Sequence, residues 1–191
     1  DQFLETQRER LRQQNLYRTR RVLDGPHGVD VTVDGRRCIN FCSNDYLGLA
    51  ADPRLSAAAS QAMSRLGSGS GAAALVSGYN RVHQQLEEAL AEYTGCERAL
   101  LFSSGWAANL GVIRALLGRE STLIADELNH ASLIDGGRLS GARYRRVPHA
   151  SVAGFREALA ESDAPGAVAG RALPRLLVSD AVFSMDGDLT V

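Results

Sequence analysis

From residue 98 onward, short apolar runs alternate with helical periodicities, and that alternation most limits the folds open to this chain. A strand over 98–103 leads to a helix over 106–117, and a strand over 121–126 leads to a helix beginning near Asn129-His130. A strand over 143–147 leads to a helix over 151–162, and a strand over 175–179 runs into Ala181–Gly187. Parallel strands need a crossover between them, usually a helix, so the repeated βαβ pattern predicts an α/β fold: a mostly parallel sheet with helices on both faces. Ligands of such sheets sit beyond the carboxyl ends of the strands. Here those ends present Ser104-Gly105-Trp106, Asp126 to His130, and Asp180 to Asp186.

The sharpest unit is Ala99–Ile113. It reads as a buried strand, a tight Ser103-Ser104-Gly105 turn and a helix whose apolar face is Trp106, Leu110, Ile113 and Leu117, with Gly118 placed to stop it. A small-residue turn into a helix leaves backbone N–H groups free at the positive end of the helix dipole, which suits phosphate. An ordinary crossover with no ligand would look the same from this stretch alone.

Ahead of it, residues 2–22 are polar and rich in Arg, with few apolar positions, and read as a surface helix that needs a partner. Val29, Val31 and Val33 alternate, Asp34-Gly35 turns, and Ile39 and Phe41 alternate again, which predicts a hairpin with a type I′ turn. Asp52 caps a helix with Pro53 first, facing inward with Leu55, Ala59, Ala62 and Leu66 and ended by Gly67. The glycine-dense run Gly67–Gly78 matches neither the Walker nor the dinucleotide pattern, and reads either as a linker or as a backbone-lined loop close to a substrate. Val82, Leu86, Ala89, Leu90 and Tyr93 form an amphipathic helix stopped by Gly95.

Composition narrows the function. A net charge of -1 gives no electrostatic footprint for nucleic acid or a membrane surface, and no apolar run approaches the roughly 18 residues of a membrane span. Cys38, Cys42 and Cys96 lack metal or disulfide spacing and fit buried thiols in a reducing cytoplasm. All 21 basic residues are Arg.

Five segments together resemble the α-oxoamine synthases: Ser43-Asn-Asp-Tyr-Leu-Gly48, Val76-Ser-Gly-Tyr79 through His83, Leu101-Phe102 through Asn109, Asn129-His130-Ala131-Ser132-Leu133, and Val182–Gly187. The resemblance implies a pyridoxal 5′-phosphate enzyme of the aspartate-aminotransferase-like fold (fold type I), truncated here. It divides the chain into an N-terminal helix and hairpin segment, 1–50, and the first part of the cofactor-binding major domain, 51–191. By the same resemblance Gly105 and Trp106 bind the cofactor phosphate, and His130 stacks on the pyridine ring and faces the substrate carboxylate. Ser184 hydrogen-bonds the phenolic oxygen, and Arg18 meets the acyl substrate, with Arg20 or Arg21 able to serve instead. The glycine run looks most like that of the member joining L-alanine to a pimeloyl thioester, carried on coenzyme A or a carrier protein, with release of carbon dioxide. Members using glycine or serine stay open, as does a non-catalytic scaffold on the same fold. The family works as a cytoplasmic homodimer.

The resemblance also requires a Schiff-base lysine, an aspartate at the pyridine nitrogen and a further histidine. The sequence has no lysine, and Asp126, Asp180 and Asp188 read as structural acids at strand ends and loops. The expectation is therefore an inactive isolated chain and a natural protein about twice as long. His149-Ala-Ser151 stands where the family often has His-Asn-Asp, and Trp106 where Phe or Tyr is commoner.

Overall fold

The computed structural model describes residues 2–162 and 173–190. Its backbone forms two compact units, Asp1–Tyr79 and Asn80–Val191.

In the first unit, helix α1 (Gln2–Gln13) stops well short of the expected residue 22. Asn15 takes a positive φ of 55°, and the amides of Leu16 and Tyr17 both turn back to the Leu11 carbonyl, which closes the helix. The hairpin is as expected: β2 (Asp30–Val33) and β3 (Arg36–Ile39) pair antiparallel around Asp34 and Gly35, at φ 49° and 77°, the two positive values that a type I′ turn requires. A short β1 (Leu23–Asp24) joins its other edge, and the Asp34 carboxylate accepts from the Val22 amide. Helix α2 (Pro53–Leu66) starts at the Asp52 cap, whose side chain accepts from the Arg54 amide. Of its expected inner face, Leu55, Ala59 and Leu66 are exposed and only Ala62 is half-buried. The glycine run ends in one π-helical turn, Ala74–Gly78. Gly78 is packed so closely there that an added Cβ would lie 1.9 Å from the Ala72 carbonyl oxygen, so no other residue fits. The cysteines correct the sequence expectation. Cys38, Cys42 and Cys96 are all exposed, Cys38 because β3 is an edge strand with no buried face.

The second unit carries the parallel sheet. Helix α3 (Arg81–Thr94) begins with a reciprocal capping box between Asn80 and His83 and ends on left-handed Gly95. Residues 98–103 do not form the expected strand. Among the described residues the sheet has three strands, β5 (Arg143–Val147), β4 (Thr122–Asp126) and β6 (Arg175–Val178), in that order and all parallel. The apolar run at 98–103 finds no ladder partner in this set, and a strand exists only through its neighbour's hydrogen bonds. Leu100 is consequently exposed, and the Leu101 amide is met instead by the Glu87 carboxylate at 2.8 Å. Helix α4 (Gly105–Leu116) ends one residue short of the expected 117, because Leu117 is already extended.

Leu123 and Ile124, neighbours in the central strand, point to opposite faces and are both fully buried. Leu123 packs with Ile113 of α4, with Leu117 just after it and with Leu133 of α5 (Ala131–Ser140). Ile124 packs with Val147 and with Ala158 of α6 (Val152–Ser162). The sheet is thus covered on both sides, as the βαβ pattern predicts. On the first side the layer is thin. A Cβ on Gly136 would come within 2.9 Å of Ile113 and 3.3 Å of the Asn109 carbonyl, and one on Gly137 within about 2.5 Å of the Tyr144 ring.

Candidate cofactor site at the carboxyl rim

The first turn of a helix has amides without intrahelical acceptors. In α4 the Ser104 hydroxyl takes one of them, the Ala107 amide, at 3.2 Å. Gly105 and Trp106 supply the two amides ahead of it, and the space where a Gly105 Cβ would lie is open. Helices α4 and α5 run parallel: Asn109 meets Ser132 and Ile113 meets Gly136, so contacts advance four residues on each helix together. Their N-termini therefore lie at the same end of the layer.

His130 caps α5, and its ring Nδ1 accepts from the Ser132 amide at 3.2 Å. The Ser132 hydroxyl, 2.7 Å from the same nitrogen, itself accepts from Asn109 Nδ2 at 2.9 Å. These donors place the imidazole proton on Nε2 and hold the plane of an exposed ring. The His130 amide donates to Asp180 Oδ2 at 2.6 Å. Asn129 ties the same ends together by donating to the Val178 carbonyl and accepting from the Asp180 amide.

Beside this lies a cluster that motif matching did not single out as functional. Asp126, fully buried at the end of β4, accepts from the amides of Leu128 (2.8 Å) and Ala150 (2.7 Å). His149 Nδ1 stands 3.0 Å from Asp126 Oδ1, and its Nε2 stands 2.6 Å from Asp188 Oδ2. Burial pushes the Asp126 carboxyl upward, but the Leu128 amide, His149 and the Ala150 amide outweigh it and hold it below the ordinary value. The contacts with Asp126 and then Asp188 raise the His149 pKa. A detectable signal was present: Asp126 pairs in register with Val147, two residues before His149, so both groups had to emerge at neighbouring strand ends.

Of the residues assigned by resemblance, Gly105, Trp106 and His130 belong to the two parallel helix starts. Ser184 is exposed on a hairpin closed by the Val182–Leu189 bridge, directly after β6 and Asp180. Arg18 is exposed in the first unit. The carboxylates of Asp126, Asp180 and Asp188 are each engaged within this network, consistent with structural roles. Among the described residues no group of His, Cys, Asp and Glu could hold a metal ion, and no helix is long and apolar enough to cross a membrane.

A parallel sheet covered on both faces, with helix starts and polar side chains gathered at its carboxyl rim, is the general build of α/β proteins that bind ligands beyond their strand ends, the fold type I pyridoxal-phosphate enzymes among them. Residues 36–190 match the family model for aminotransferase class I and II, and the chain belongs to that family. It is 52% identical over 97% of its length to the 8-amino-7-oxononanoate synthase of Thioalkalivibrio sulfidiphilus and 54% identical over 92% to that of Nitrosococcus oceani, covering 46% and 45% of them. The chain thus spans about half the length of the curated relatives it matches. Among solved structures, it is similar to serine palmitoyltransferase of Sphingomonas wittichii, with a TM-score of 0.85 at 32% identity, over 98% of this chain and 46% of that one. It is also similar to 8-amino-7-oxononanoate synthase of Francisella tularensis, with a TM-score of 0.62 at 29% identity, over 78% and 39%. Another serine palmitoyltransferase neighbour was solved with PLP.

Proposed function

We propose that this chain supplies the phosphate, ring and phenolate contacts of an α-oxoamine synthase, an acyltransferase that joins L-alanine to a pimeloyl thioester, with loss of carbon dioxide, to form 8-amino-7-oxononanoate for biotin. The observation that carries the cofactor reading is the pair of parallel helix starts. One offers the free amides of Gly105 and Trp106, and the other presents the oriented His130 ring at the same end. These groups fit pyridoxal 5′-phosphate. A dianion suits the start of α4, where dipole and amides act together. A flat aromatic ring suits the face of His130, and a phenolic oxygen suits the Ser184 hydroxyl. Arg18 is assigned to the distal carboxylate of the acyl substrate, a fixed cation for a fixed anion.

When bound, the cofactor supplies an electron sink for the Cα of the amino acid. The chain's own residues anchor, orient and hold one imidazole proton at His130 Nε2, where a substrate carboxylate can accept it. The lysine that would hold the cofactor covalently is assigned to the portion that the curated relatives have beyond the matched region. Residues 1–50 are assigned to an N-terminal segment and 51–191 to the start of the major domain. The working form is assigned as a cytoplasmic homodimer, taking its thioester from coenzyme A or a carrier protein.

Trp106 is the single tryptophan and stands at the assigned phosphate site, half exposed. Titrating the chain with pyridoxal 5′-phosphate should quench its fluorescence saturably, whereas pyridoxal without the phosphate should not; absence of saturable quenching would sink the cofactor reading. The high-scoring serine palmitoyltransferase neighbours favour serine as the alternative amino acid. With the lysine-bearing portion supplied, alanine should perturb the cofactor spectrum more than serine or glycine does.

A further inference from the structure

Both ring nitrogens of His149 are engaged by carboxylates, and the two carboxylates belong to different parts of the rim. Asp126 is firmly held: it is fully buried and fastened by two backbone amides as well as by the imidazole. Asp188 lies on the hairpin that follows β6, where the Phe183 amide donates to the Asp188 carbonyl, the Gly187 amide to Phe183 and the Thr190 amide to Ala181. Phe183, almost fully buried, sets its ring edge-on to the same imidazole, with centroids 4.4 Å apart and planes at 88°. Ser184 is therefore bracketed. The residue before it packs on His149, and the residue four after it bonds to His149.

The geometry points to His149 as a positioning residue that fastens the Ser184 hairpin to the carboxyl ends of β4 and β5. A short hairpin with one isolated bridge has little stability of its own. Its order comes from what it is tied to, and the imidazole bridge gives it a fixed, buried reference point. A charge-assisted bond through each nitrogen is stronger than a neutral one. The cluster touches none of the groups assigned to the phosphate or the pyridine ring. Its consequence for the cofactor passes through Ser184 and rests on the reading proposed above; the fastening itself does not.

The test compares the wild-type chain with Asp188→Ala, His149→Gln, Ser184→Ala and the double variant Asp188→Ala/Ser184→Ala. Asp188 is partly exposed, so Asp188→Ala cuts the hairpin side of the bridge without opening the core. Amide exchange should quicken about tenfold at Phe183, Gly187 and Thr190 in both Asp188→Ala and His149→Gln, from the loss of a charged hydrogen bond, while Leu123 and Ile124 keep wild-type protection. Affinity for pyridoxal 5′-phosphate, read by Trp106 quenching, should fall in Asp188→Ala and in Ser184→Ala, and the double variant should bind no more weakly than Ser184→Ala alone. Wild-type exchange rates in the hairpin of Asp188→Ala and His149→Gln would overturn the fastening. Losses that multiply in the double variant would overturn action through Ser184. If the wild-type chain shows no quenching at all, the cofactor reading fails, and the exchange rates still decide the role of His149.

Discussion

Asn129 and Asp180 clasp the ends of β4 and β6. The Asp180 amide donates to Asn129 Oδ1 at 2.9 Å while Asn129 Nδ2 donates to the Val178 carbonyl at 2.9 Å. One buried side-chain amide thus satisfies a donor and an acceptor where the ladder runs out. Asn129→Ala leaves both without partners and should cost about 1–3 kcal/mol. Urea unfolding of the two proteins checks it, and an unchanged midpoint would show that the clasp is idle.

Tyr144 makes the opposite case. Its hydroxyl is buried without a hydrogen-bond partner, and burial pushes its phenol up. Tyr144→Phe removes an unsatisfied polar atom and keeps the ring that packs against the Leu123 cluster. The variant should be as stable as the wild type or more stable by up to about 1 kcal/mol. A lower unfolding midpoint for Tyr144→Phe would count against this.

The rim should respond to pH in a defined direction. The pKa of His149 is raised in the folded chain, so its contribution is fully present below the ordinary histidine value and is lost as pH rises through the folded one. Asp126 is held low, so its contribution is present above the ordinary carboxylate value and is lost as pH falls through the folded one. The other charged groups here are Asp188, Glu127, whose carboxylate accepts the His149 amide, and Arg146, which donates to the Glu127 carbonyl. Unfolding midpoints across pH should show the alkaline loss in the wild type, and His149→Gln should remove it. An alkaline limb that survives the substitution belongs to another group.

Covalent trapping gives a simple negative. With no lysine in the sequence, pyridoxal 5′-phosphate and borohydride should leave no adduct on any internal residue, and only the α-amino group can react. Peptide mass spectrometry after reduction reads this directly; an internal adduct would contradict the assignment of the anchoring lysine to another portion.

What the sequence disclosed followed the range of the interactions. The Asp34-Gly35 turn, the Asp52 cap and the Gly95 stop depend on neighbours a few residues away, and each is where the pattern puts it. β4, β5 and β6 are also where the pattern puts them, and they meet one another in a single sheet. The run at 98–103 has the composition of a strand and lacks the partner, which composition cannot supply. Exposure of the three cysteines likewise depends on which edges are left uncovered. The His149 bridge spans 23 residues to Asp126 and 39 to Asp188, so no local motif announces it. The roles of His130 and Ser184 came from resemblance alone, whereas Gly105 also stood on the strand-turn-helix pattern; the parallel α4 and α5 carry Gly105 and His130 to the same end of the layer.

The thin layer at Gly136 has a bearing on evolution by substitution. One methyl group there would wedge α5 away from α4, and both helices carry their ends to the rim as rigid rods. A change six residues along the helix from the His130 cap, about 9 Å at about 1.5 Å per residue, would then widen the mouth between the two helix starts. Selection on such a surface would act on a hydrogen atom in the interior.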